Sequence, residues 1–157
     1  MKHLFLIRHG DYDKSSGSLT EEGIRQIELT SAMMKEIVGE DYDSHRILSS
    51  SARRARESAK IIEKTFGQED TSNYLPNLHT WSGKLSHDQY NLFDNLVRTN
   101  KDQNILTIVG HSELTDLYSK HFDNSRFEGS GRIKPPAKGE GVYFNIDSGT
   151  LKNLSRG

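Results

Sequence analysis

Two short tracts of this chain join an apolar run to a histidine. Leu4-Phe5-Leu6-Ile7 leads directly into Arg8-His9-Gly10, and Ile105-Leu106-Thr107-Ile108-Val109 leads into Gly110-His111-Ser112. Apolar runs of this length read as buried β-strands. The carboxyl ends of parallel strands are where ligands of open α/β sheets collect. The pattern therefore delivers two imidazoles and a guanidinium to one sheet edge, and these groups suit phosphoryl transfer onto a side-chain nitrogen. Imidazole titrates near pH ~6.5 when unperturbed, so a neutral attacking nitrogen is present at neutral pH. The planar fork of arginine donates parallel hydrogen bonds to phosphate oxygens. A phosphoryl group in transfer spreads its charge over equatorial oxygens, so its catalysis is mostly positioning and electrostatics.

A third tract adds to this set. Ile47-Leu48-Ser49 is strand-like and runs into Ser50-Ser51-Ala52-Arg53-Arg54-Ala55, where a helix begins. A helix N-terminus presents unpaired N–H groups and the positive dipole end, which favour an anion. Arg54, in the first turn, can aim at the same phosphate as Arg8. Gly10 lets the chain turn sharply beside His9 and leaves room for a ligand. Ser112, next to His111, joins Gly10 as a candidate substrate contact.

The elements that must position these groups follow from the remaining pattern. Residues 3–8 read as a strand and 11–18 as a polar loop over its end. Thr20 caps a helix whose first turn holds Glu21 and Glu22, with Ile24, Ile27, Met34 and Val38 as its apolar stripe and Gly39 as its stop. Residues 46–49 read as a second strand and 51–66 as a helix with Ala55, Ala59, Ile62 and Phe66 inward. Tyr74-Leu75-Pro76 reads as a strand tail. Helices are expected over 87–97 and 112–121, with a strand at 105–109 between them and a long loop over 123–141. Val142–Ile146 and Thr150–Leu154 flank Asp147-Ser148-Gly149, a hairpin signature. Strands alternating with helices predict a three-layer α/β/α sandwich with a mostly parallel central sheet and a C-terminal hairpin.

Composition narrows the class further. The chain has 157 residues, which fits one domain over 1–157, with 32% hydrophobic and 27% charged residues. The formal net charge of −1 gives no bulk attraction for nucleic acid or an anionic membrane, so any affinity for phosphate must be local. With no cysteine there is no disulfide, thiolate metal site or cysteine nucleophile. The apolar run near the N-terminus is too short for a signal core, and nothing approaches the roughly 20 residues of a membrane span. These features predict a soluble, cytoplasmic protein, with no nucleic-acid or membrane partner. His3, His45, His87 and His121 share no spacing suggestive of metal ligation and read as surface or packing residues.

Taken in order, Leu6-Ile7-Arg8-His9-Gly10, Leu19-Thr20-Glu21-Glu22-Gly23 with Gln26, Ser49-Ser50-Ser51-Ala52-Arg53-Arg54-Ala55 and Val109-Gly110-His111 resemble the histidine phosphatase superfamily, in its phosphoglycerate mutase-like branch. The motifs span residues 4–112, and the wording Arg-His-Gly-Asp-Tyr looks most like the small phosphohistidine phosphatases and mutase-like Ser/Thr phosphatases. Any one motif is weak; the set is specific. The resemblance implies a phosphoglycerate mutase-like fold and a phosphatase acting on a phosphorylated small molecule or phosphoprotein. It implies His9 as the phosphorylated nucleophile, Arg8 and Arg54 as clamps on the phosphoryl oxygens, His111 as a hydrogen-bond donor, and Ser15 close to the phosphate. No metal or other cofactor is implied.

One departure from the family pattern bears on substrate. Relatives that cleave phosphomonoesters efficiently carry a glutamate in the middle segment that protonates the leaving oxygen. The corresponding stretch here, Leu75-Pro76-Asn77-Leu78-His79-Thr80-Trp81-Ser82-Gly83, has no carboxylate. General acid catalysis is worth roughly 10²–10⁴ in rate. A phosphoramidate nitrogen can arrive already protonated, so the gap favours phosphohistidine or an activated phosphate, unless His79, Asp11 or Glu113 supplies the proton. A mutase acting on a small metabolite and a non-catalytic phosphate-binding module are the alternative functions.

Overall fold

The computed structural model describes residues 1–40, 44–68, 72–79, 82–127, 129 and 131–156. Six strands form one sheet: β1 (His3–Arg8), β2 (His45–Ser50), β3 (Asn73–Leu75), β4 (Ile105–Gly110), β5 (Gly141–Asn145) and β6 (Thr150–Leu154), in spatial order β3-β2-β4-β1-β5-β6. β1, β2, β3 and β4 are mutually parallel, while β5 runs antiparallel to both β1 and β6. The register pairs Arg8 with Gly110 and Ser49 with Val109, so β1, β2 and β4 end level with one another. His9, Ser50 and His111 thereby leave the sheet at one edge.

Alternation along β1 decides the layers, because successive side chains of a strand face opposite ways. Phe5 and Ile7 pack with Ile27, Met34, Ala55, Ala59 and Ile62 of α1 (Glu21–Val38) and α2 (Arg53–Thr65). Leu4 and Leu6 pack on the other face with Phe93 and Val97 of α3 (His87–Thr99) and with Leu114, Tyr118 and Phe122. The sheet is thus covered on both faces, as the three-layer expectation required. Thr20 caps α1, accepting from Gly23 N–H, and Gly39 closes it at φ 67°.

Three expectations need correction. Ile24 sits off the α1 stripe and is 41% exposed; the stripe runs through Ile27, Met34 and Val38 instead. The helix expected over 112–121 begins as a π-helical turn, Glu113–Tyr118, and continues as α4 (Ser119–Arg126). The connection read as a loop from 123 therefore starts later. Asp123, buried in α4, accepts at its backbone oxygen from Phe127 and Gly129, a closure that periodicity does not signal.

Candidate active site

Beyond β1 the chain turns sharply. His9 N–H donates to Gly110 O at 3.0 Å, and Gly10 N–H donates to Ser58 Oγ at 3.1 Å. Gly10 and Gly23 allow this turn to lie on the start of α1. A Cβ on Gly10 would stand 2.6 Å from Gly23 O, and one on Gly23 would stand 2.0 Å from Asp11 O. The glycine of Leu19-Thr20-Glu21-Glu22-Gly23 is therefore a contact with the chain that carries His9.

The ring of His9 is held in one tautomer. Its Nδ1 lies 2.8 Å from Gly10 O. A carbonyl only accepts, so Nδ1 carries the proton and Nε2 keeps its lone pair. Arg54 agrees with this assignment, its Nε donating to His9 Nε2 at 3.3 Å. His9 is 5% exposed. Burial lowers its pKa to about 4, with the charges of Arg54, Arg8 and Lys138 adding to the effect and the Gly10 bond opposing it. The imidazole is neutral at pH 7.

His111 faces His9 with ring centroids 5.1 Å apart. Its Nε2 lies 2.9 Å from Ser50 Oγ, which also accepts from Ala52 N–H. A hydroxyl both donates and accepts, so Ser50 Oγ satisfies this nitrogen in either tautomer of His111. Burial lowers the His111 pKa to about 2, helped by His79, His9, Arg54 and Arg8. The His111 imidazole is therefore neutral at pH 7.

The two guanidiniums come from opposite sides. Arg54 stands in the first turn of α2, whose cap residue Ala52 offers no side-chain acceptor and whose first turn holds no acid, so that end stays positive. Arg8 Nη1 donates to Pro136 O at 3.0 Å, and its Nε is buried with no hydrogen-bond partner among the described residues. Residues 136–140 wrap this side: Gly139 N–H donates to His9 O, and Arg8 N–H donates to Glu140 O, both at 2.8 Å.

Several neighbours were not singled out from sequence. Tyr12 sets its ring edge-on to His9 at 5.3 Å, while the Arg54 guanidinium lies over it at 4.4 Å. Lys138 reaches Asp11 Oδ1 at 3.3 Å and lies 5.3 Å from the Tyr12 ring. Ser50, quoted only as part of a motif, orients His111. Tyr12 ends the wording Arg8-His9-Gly10-Asp11-Tyr12 but carried no role there, and Lys138 lies in a polar connection with no local signal.

The remaining candidates separate. Ser15 is exposed, and both its N–H and its hydroxyl donate to Asp13; among the described residues no contact joins it to the histidines. Its loop is anchored on α2, where Glu57 accepts from Ser18 Oγ, Leu19 N–H and Arg53 Nε. Ser112 is half-buried at the head of the π-helical turn and makes no side-chain cap there. Asp11 is bonded to Thr20 and Lys138, which hold its carboxyl below the usual range. Glu113 is buried. His79 stacks on His111 with centroids 3.7 Å apart and planes at 15°. Trp81 lies outside the described residues. Among those residues, no group of three carboxylate or imidazole side chains could hold a metal ion, and no helix is long and apolar enough to cross a membrane.

Residues 4–84, over half of the chain, match the family model of the histidine phosphatase superfamily (branch 1). No curated protein matches. Among solved structures, the protein histidine phosphatase SixA in complex with tungstate superposes with a TM-score of 0.61 at 18% identity, covering 96% of this chain and 93% of that one. A phosphoserine phosphatase from Entamoeba histolytica, in complex with 3-phosphoglyceric acid, gives 0.61 at 18%, covering 99% and 96%. A phosphoglycerate mutase from Plasmodium falciparum gives 0.59 at 21%, covering 99% and 90%.

Proposed function

We propose that this chain, which belongs to the histidine phosphatase superfamily, is a phosphatase that hydrolyses a phosphomonoester or phosphohistidine through phospho-His9. The observation that carries the reading is the tautomer of His9: with Nδ1 bound to Gly10 O, the lone pair of Nε2 lies beside the Arg54 guanidinium, in the place a phosphoryl group would take.

Attack by Nε2 on phosphorus breaks the bond to the leaving group and moves the phosphoryl onto His9. Arg54 exchanges its contact with Nε2 for phosphoryl oxygens, Arg8 brings the unpartnered Nε, and His111 donates its ring N–H. Fixed donors aimed at developing charge in a water-poor site are the largest common source of catalysis. Water then attacks phosphorus, the P–N bond breaks, and Nε2 recovers its lone pair as inorganic phosphate leaves. Tungstate, a phosphate-shaped oxyanion, occupies the solved SixA complex, and the same ion is expected to compete with substrate here.

The test is hydrolysis of p-nitrophenyl phosphate. The wild-type chain turns it over, tungstate inhibits, and His9→Ala abolishes activity while circular dichroism stays unchanged. Equal rates in His9→Ala contradict the proposal.

A further inference from the structure

The leaving group of a phosphomonoester needs a proton donor besides the phosphoryl-binding groups. An alkoxide is a strong base and departs slowly unless protonated in the transition state, whereas p-nitrophenolate departs as it is. The titratable groups around the cluster differ in burial and in placement. His9 is the attacking base, and His111 is tied to Ser50 and buried. Asp11 is engaged by Thr20 and Lys138, bonds that favour its ionised form. Glu113 is buried beneath the π-helical turn.

His79 follows the short 3₁₀ turn Pro76–Leu78 after β3, is half-buried, and stacks flat on His111. The same ring lines a cleft of about 380 Å³ with Pro76, Asp88, Gln89 and Leu92. His79 thus touches the phosphate-site imidazole and borders a space large enough for a small leaving group. The charged group on the cleft wall is Asp88, which disfavours a leaving group bearing a carboxylate or second phosphate.

We propose that His79 donates the proton to the leaving oxygen of a phosphomonoester whose uncharged or cationic alcohol lies in this cleft. This deepens the phosphatase reading and rests on it. As His9 Nε2 bonds to phosphorus, the P–O bond breaks, its electron pair stays on oxygen, and that oxygen takes the proton from the His79 imidazolium. In the second half, neutral His79 removes a proton from the attacking water, and the P–N electron pair returns to His9. One proton is needed per complex, and it can arrive on the ester monoanion.

The groups facing His79 set when it holds that proton. Arg54 from α2 disfavours the cation and Glu113 favours it, while Asp88 shares the cleft wall with the ring. In the free protein, burial and Arg54 hold its pKa below the ordinary histidine value. A bound phosphoryl group offsets the Arg54 charge, so the ring gains its proton with substrate.

The experiment compares p-nitrophenyl phosphate with an alkyl phosphate such as phosphoethanolamine, across pH, in wild type, His79→Gln and His79→Glu. His79→Gln lowers turnover of both esters, but of the alkyl ester about 100-fold more, within the usual span of general acid catalysis. It also removes the basic limb of the alkyl ester's pH profile, and His79→Glu recovers part of the lost alkyl activity. Equal losses on the two esters in His79→Gln, or no loss, overturn the assignment of His79. Failure of the wild type to hydrolyse either ester or a phosphohistidine peptide overturns the phosphatase reading itself, whereas turnover of the phosphohistidine peptide alone overturns only the assignment of His79.

Discussion

At the scale of single residues, the site depends on which nitrogen of each imidazole holds a proton. Gly10 O fixes the answer for His9, and Ser50 Oγ holds the Nε2 side of the His111 ring. Arg54→Ala removes a donor to the attacked group, and its loss is expected to lower kcat by about 10²–10³, the cost of deleting a preorganised donor. Ser50→Ala leaves both histidines in place but frees the His111 ring to turn, so a smaller loss of roughly tenfold in kcat with little change in KM is expected. Steady-state kinetics on p-nitrophenyl phosphate measure both, and a Ser50→Ala loss equal to that of Arg54→Ala would contradict this ranking. His9, Arg8, Arg54 and His111 were legible in the sequence because each follows a recognisable strand end or helix start. Lys138 and Tyr12 were not, because their contacts depend on how two polar loops cross.

At the scale of elements, the junction between β1 and α1 governs where His9 stands. Gly23→Ala drives a methyl into the carbonyl of Asp11, a backbone atom that cannot yield without moving the His9 turn. Overpacking of this kind costs about 1–3 kcal/mol, and here it also displaces the nucleophile. A urea titration is expected to show the lower midpoint, and turnover should fall more than in a control with an equal stability loss, such as Thr20→Ala, whose missing cap costs about 1 kcal/mol. Equal activity at equal stability would separate the glycine from the site. Strands and α1, α2 and α3 were readable because most of their apolar residues fall at strand or helix spacing, and α1 also carries an explicit cap in Thr20. The π-helical turn at Glu113–Tyr118 was not, since a one-residue change in helical period follows from packing of Leu114 and Tyr118 on the sheet.

At the scale of the molecule, stability and activity are linked through buried neutral histidines. His9 and His45 are both lowered to about 4, and His111 to about 2, burial being the main cause in each. An unfolded chain binds protons on these rings below about pH 6.5, where the folded chain does not. The stability they permit is therefore complete above pH ~6.5 and is lost progressively as pH falls toward 4, by up to about 1.4 kcal/mol per pH unit for each ring. Urea midpoints at pH 7.5 and 5 should fall accordingly, and His45→Gln, remote from the site at the far end of β2, should flatten the dependence without altering turnover. The sandwich itself was legible from alternating elements. The order β3-β2-β4-β1-β5-β6 was not, because strand neighbours far apart in sequence carry no local mark.

The most direct measurement is to quench the wild-type protein with denaturant at high pH during turnover of a phosphorus-labelled substrate, then map the label by peptide mass spectrometry. The account predicts a base-stable, acid-labile phosphate on the peptide containing His9, absent from His9→Ala. A label on another side chain, or full turnover with no covalent phosphate at any quench time, would contradict it.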